Sequence, residues 1–288
     1  MRSNGTAFLS LLVLVLCCAW LPVSPASATV LEQITDVDID GNVVTARLEL
    51  TSEIGADLTL TFEDVVGLSE ANLGWSIDFI DGTEAVALLA RMPSSLVTLP
   101  SGLPLLLTLE PPATGGLSFS GVAHVELYTH DLMYTAFTPL RLFAAPVGGD
   151  FVDVTTHLSS GSYRARGTRG SFSEFVVVAD ARPVATVIDA KFIRLDGLLT
   201  MFSSQIEDTV EAKLIRFLDD AETLYRAGNV VAAIQKIEVF STTVEQASSA
   251  EIPDVWRSSR DLTNVAGELR AAAETLRFSL VLASIGAP

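Results

Sequence analysis

The sequence predicts two fold classes in series, an N-terminal antiparallel β-sandwich followed by a C-terminal antiparallel helical bundle. Three observations predict this. Apolar and polar residues alternate in short runs from about Val30 to Asp180. Glycine-rich turns punctuate the same stretch. Beyond Arg182-Pro183 the apolar residues recur three and four apart instead.

Ahead of both units stands a leader. Arg2 gives a positive start, Phe8 to Leu21 is apolar, and Ala26-Ser27-Ala28 closes with small residues. This is the pattern of a cleavable secretory signal, with cleavage expected after Ala28. A lipidated cysteine fits less well, because Leu14-Val15-Leu16 precedes Cys17 where a small residue is needed. The expected organisation is a signal at 1–28, a β-sandwich at 29–183 and a helical bundle at 184–288. Both cysteines, Cys17 and Cys18, lie in the leader. The mature chain therefore has no disulfide framework, thiolate metal site or cysteine nucleophile.

In the first unit, Val43 to Leu50 and Leu58 to Phe62 read as strands. Turns are marked by Asp40-Gly41-Asn42, Asp81-Gly82, Gly115-Gly116, Gly148-Gly149 and Gly161. Along Val122 to Thr129, Ala123, Val125 and Leu127 share one face, and His124, Glu126 and Tyr128 the other. Phe172 to Ala179 reads as the last strand.

In the second unit, Ile188–Phe202, Ile206–Arg226, Val230–Ala247 and Pro253–Leu282 read as helices. Val210, Leu214, Phe217, Leu218, Ala221 and Leu224 form one stripe. Ile234, Ile237, Val239, Phe240 and Val244 form another. Ala227-Gly228-Asn229 supplies a stop and a turn. Pro253 suits a first helical turn. Short connections imply antiparallel neighbours. The apolar run 278–285 is too short to span a bilayer.

The residues Leu218-Asp219-Asp220-Ala221, Gly228-Asn229-Val230-Val231-Ala232-Ala233-Ile234, Ile237-Glu238-Val239-Phe240 and Val244 resemble the FIMAH domain. That helical module follows catalytic or adhesive β domains in secreted bacterial proteins. The similarity runs from Glu207 to about Leu276. It departs at Ser248-Ser249-Ala250-Glu251-Ile252, where the module has a glycine-lysine turn. Gly161-Ser162-Tyr163-Arg164 and Ser171 to Val177 are similar to an uncharacterised family of secreted bacterial proteins. The resemblance implies export and an accessory, non-catalytic role, and carries no catalytic residues.

The chain has 18 Lys plus Arg against 35 Asp plus Glu, a formal net charge of −17. Binding to nucleic acid or to anionic lipid needs the opposite sign. Most of the excess falls in residues 29–185, with seven Arg, no Lys and 20 acids.

Several constellations have residue types suited to chemistry. Asp36, Asp38 and Asp40 before Gly41 resemble the front of a calcium loop. Arg47 stands where its bidentate Glu belongs, so a β-hairpin with an acidic outer face is favoured. His124, Glu126 and His130 could meet a metal from one sheet face, but a polar solvent face is the favoured reading. Arg164, Arg166 and Arg169, clustered between two late strands, are the ligand-binding candidates, since guanidinium groups clamp carboxylates and phosphates; the favoured expectation is that they neutralise nearby acids. No Gly-x-Ser-x-Gly elbow or glycine-rich phosphate loop occurs. Trp75 and Trp256 are expected in the core or at an interface.

The expected function is that of a non-enzymatic structural or binding module, secreted or periplasmic, with no cofactor. Its partner would be an unidentified protein or envelope component. Two alternatives stand beside it, a calcium-dependent or carbohydrate-binding adhesive module and a secreted hydrolase of unrecognised type.

Overall fold

Alternation in the first half is realised as two antiparallel sheets. The computed structural model describes residues 30–135, 137–159 and 162–286. The leader at 1–28 with its cysteines, and the turn at Gly161, lie outside the described residues.

The first sheet runs β1 (Val30–Asp40), β2 (Val43–Thr51), β3 (Gly55–Val66), β7 (Ser118–Met133), β11 (Ser162–Arg169) and β10 (Thr155–Ser159), and β13 (Val255–Arg257) also pairs with β7. The second runs β4 (Trp75–Phe79), β6 (Leu105–Leu109), β12 (Glu174–Asp180), β8 (Leu140–Ala145) and β9 (Val152–Asp153), with β5 (Val97–Thr98) also on β12. Their facing sides share one core, in which Leu48, Leu58, Leu60, Phe119, Val125 and Leu127 meet Leu105, Leu107, Leu142, Phe175 and Val177. The second sheet is buried on its other side too, where Phe143, Val176 and Val178 pack with Ile80, Leu88 and Phe151.

The hairpin reading of the acidic run holds. Asp40 pairs with Val43 across Gly41-Asn42, and Gly41 takes the positive φ of 57° such a turn requires. The alternation before it is interrupted, however. Register shifts at Val30/Gln33 and Thr35/Asp38 bulge β1, with Glu32 and Asp36 at positive φ.

Asp81-Gly82, read above as a turn, instead opens α2 (Gly82–Leu89), which follows the short α1 (Glu70–Leu73). Asp81 accepts from the Thr83 and Glu84 N–H groups, and Glu84 reaches back to the Asp81 N–H. This capping box converts a turn dipeptide into a helix start.

The helices are α3 (Val184–Phe202), α4 (Asp208–Arg226), α5 (Val230–Ala247) and α6 (Val265–Ser284). They enclose a second core built from Leu195, Leu199, Leu214, Leu218, Ile237, Phe240, Leu269, Leu276 and their neighbours. The α4 stripe is buried as its spacing predicts, with Phe217 and Leu224 at its margins. In α5, Val239 is 45% exposed, because two residues after buried Ile237 lies nearly the opposite side of a helix.

Residues 253–264 depart furthest from the helix their sequence predicts. They are not helical; Val255–Arg257 forms β13, and α6 begins only at Val265. Trp256 pairs opposite Phe119 and sits among Phe119 and Phe172, with centroids 5.4 and 4.9 Å away. The helical half thus completes the sandwich core. From there α6 lies across β7, β10 and β11.

Candidate functional site

The outward residues of three strands become a site because α5 and α6 cover them. A cleft of about 610 Å³ results. Its floor is His124 and Glu126 from β7, Arg164 and Arg166 from β11, and Thr156, His157 and Ser159 from β10. Glu238, Ser241 and Thr242 of α5 and Glu274 and Arg277 of α6 form the opposite wall.

Period-two geometry places the floor. Arg166 is opposite Glu126 and Thr168 is opposite His124 in the β7–β11 register. Arg166 donates to Glu126 Oε2 from Nε and Nη2 at 3.1 and 2.8 Å. Arg164 Nε lies 3.5 Å from Glu126 Oε1, and its guanidinium stacks 4.4 Å from the Tyr128 ring centroid. Across the cleft, Arg277 donates to Glu238 at 2.7 Å.

A hydrogen-bonded chain crosses from helix to sheet. Thr168 donates to Glu274 Oε2 at 2.7 Å, and His124 Nδ1 lies 3.0 Å from the same hydroxyl. Burial pushes the His124 pKa down, and Arg166 and Arg270 push the same way, against Glu274 and Glu63. Imidazole is therefore neutral at pH 7. Beside this chain, Arg270 grips Glu63 with two bonds of 2.6 Å.

The three candidate arginines, expected between strands, all lie within β11, and its alternation separates them. Arg164 and Arg166 point into the cleft. Arg169, an odd number of residues further along the strand, is buried, with Ser171 at 3.3 Å and Glu268 at 3.9 Å. It belongs to the seam where α6 docks.

The possible metal group separates as well. His130 is six residues along β7 from His124, about 20 Å of strand, and contacts Asp57 and Arg47 instead. Among the described residues no three His, Cys, Asp or Glu side chains could hold a metal ion.

Thr168 and Glu274 were not legible as site residues. They are 106 positions apart, and only the docking of α6 joins them. Thr168 is fully buried and its proton is committed to Glu274, so its hydroxyl is a relay rather than a nucleophile.

All the described strands and helices but the last residue of α6 fall within one family match, which spans residues 16–283. The chain belongs to DUF6689, a family of unknown function. The DUF6689 match takes in the sheets, β13 and nearly all of α6, so the cleft is built wholly within it. No curated protein and no solved structure matches the chain. No described helix is long and apolar enough to cross a membrane.

Proposed function

We propose that this DUF6689 chain is an exported, non-enzymatic binding module of the envelope or extracellular space, and that the cleft under α5 and α6 is its recognition surface. The leader pattern and the FIMAH-like residues support export. The observation that carries the binding reading is the paired state of the cleft. Arg166, Arg164 and Arg277 are held by Glu126 and Glu238 on regular strands and helices, which fixes donors and acceptors for a ligand before it arrives. A hydrolase with a hydroxyl nucleophile and a histidine base would need that hydroxyl bonded to an imidazole nitrogen free to take its proton. The one hydroxyl on His124 is instead the buried relay Thr168.

Two measurements test this. Protein recovered outside the cytoplasm after expression of the full chain should begin at Thr29; an uncleaved cytoplasmic product would overturn export. Immobilised exported protein should retain material from a solubilised envelope fraction. A folded Arg166→Ala variant should not. Equal retention by both would remove the cleft as the surface.

A further inference from the structure

Resting on that binding reading, we infer that the cleft takes an uncharged, hydroxyl-rich ligand, a neutral saccharide unit, which donates a hydroxyl to His124 Nε2 and accepts from Arg164 and Arg166.

The tautomer of His124 follows from its neighbours. A threonine hydroxyl has a single proton, and that of Thr168 goes to Glu274 at 2.7 Å. The 3.0 Å contact to His124 Nδ1 therefore has imidazole as the donor. Thr156 does not change this, since its own proton goes to the Arg166 carbonyl at 3.2 Å. A neutral imidazole protonated at Nδ1 carries its lone pair at Nε2. Nε2 has no protein partner among the described residues, and His124 lines the cleft. The ligand must supply a donor there.

Charge selects the ligand further. The cleft lining holds three guanidinium groups and three carboxylates, Glu126, Glu238 and Glu274. An anion between these pairs would lie against the carboxylates of Glu126, Glu238 and Glu274 and be repelled by them. A hydroxyl donates and accepts at once, so it can bond a spare guanidinium N–H and a carboxylate oxygen without breaking either pair. The cleft also falls within the range of about 300–1,000 Å³ usual for small-ligand sites.

The sign of the pH dependence separates this ligand from an anion. The groups facing His124 are Glu274 and Arg270 on α6, Arg166 on β11 and Glu63 on β3. Glu126, His157, Arg164, Glu238 and Arg277 complete the charged and titratable lining of the cleft. Protonating His124 turns Nε2 from acceptor to donor. Binding of an anion then strengthens, whereas a hydroxyl, which donates to the Nε2 lone pair or accepts from an Nε2–H, keeps a bond in either state.

The test is an array of printed oligosaccharides, neutral ones beside others bearing uronic or sialic acid, probed with exported protein at pH 7.5 and 5. Retention should be confined to neutral saccharides and should not rise at pH 5. The variants His124→Leu and Arg166→Lys should each weaken it roughly tenfold, the value of one good hydrogen bond, with melting curves close to the parent. Retention of acidic saccharides, stronger retention at pH 5, indifference to His124→Leu, or no retention of any neutral saccharide would overturn the inference. If no neutral saccharide binds but Arg166-dependent capture of envelope material persists, this inference fails and the binding-module reading stands. If that capture also fails, both fall.

Discussion

Lys191 shows how much one side chain can hold. It is buried on α3, and its ammonium donates to Asp153 Oδ2 at 2.7 Å, Thr275 Oγ1 at 2.6 Å and Ser279 Oγ at 2.8 Å. These partners come from β9 and α6, so a single cation ties three elements together. Burial lowers the Lys191 pKa despite Asp153, and the surrounding oxygens are what keep the amine charged. Asp153→Ala would strand that charge. The expected loss is about 3–5 kcal/mol in urea unfolding, the usual result of breaking a buried pair from one side. Lys191→Met combined with Asp153→Asn removes both charges and should recover most of the loss. Equal losses in the single and double variants would refute this account.

At the scale of the element, α6 docks on the sheet by close backbone approach. Gly170, after β11, meets the backbone of Gly267 and Glu268. Asn264 caps the helix by accepting from the Gly267 N–H at 2.8 Å and donates to the carbonyls of Gly121 and Gly170 at 2.6 and 3.1 Å. A Cβ on Gly267 would collide with the Gly121 carbonyl and the Asn264 amide. Gly267→Ala, favourable in an isolated helix, should therefore destabilise by about 1–3 kcal/mol as an overpacked contact. The melting temperature reads it directly, and a rise would show that the helix sits further from the sheet.

For the whole molecule, the change of period at Arg182-Pro183 is not where cooperativity ends. Trp256 from the helical half covers Phe119 and Phe172 in the sandwich core. Residues 29–183 expressed alone should lack a cooperative melt and bind a hydrophobic dye; a sharp melt would show that the sandwich folds alone. The docking seam also sets the acid limit. Burial alone would raise the pKa of Glu63, Asp153 and Glu268. Arg270 outweighs it for Glu63, Lys191 and Arg141 for Asp153, and Arg169 with Ser171 for Glu268, so all three fall below their ordinary values. A depressed carboxyl contributes stability above its unfolded pKa of about 4 and loses it as pH falls through the folded value. Urea midpoints should hold from pH 7 to about 5 and drop below about 4. The Asp153→Ala variant should show a shallower drop.

The sequence by itself determined what local periodicity can encode. Ala123, Val125 and Leu127 face the core, as a strand's two-residue repeat requires, and α5 runs from Val230 to Ala247 as its spacing predicts. Those properties depend on neighbours a few residues away. Only the tertiary structure decided that residues 255–257 would be a strand, because a partner strand 137 residues earlier overrides the helix signal of Pro253. It alone sent Arg169 into a buried seam and joined Glu274 to Thr168 and His124. Contacts of that range have no period and no motif; they exist only once two separately patterned halves meet.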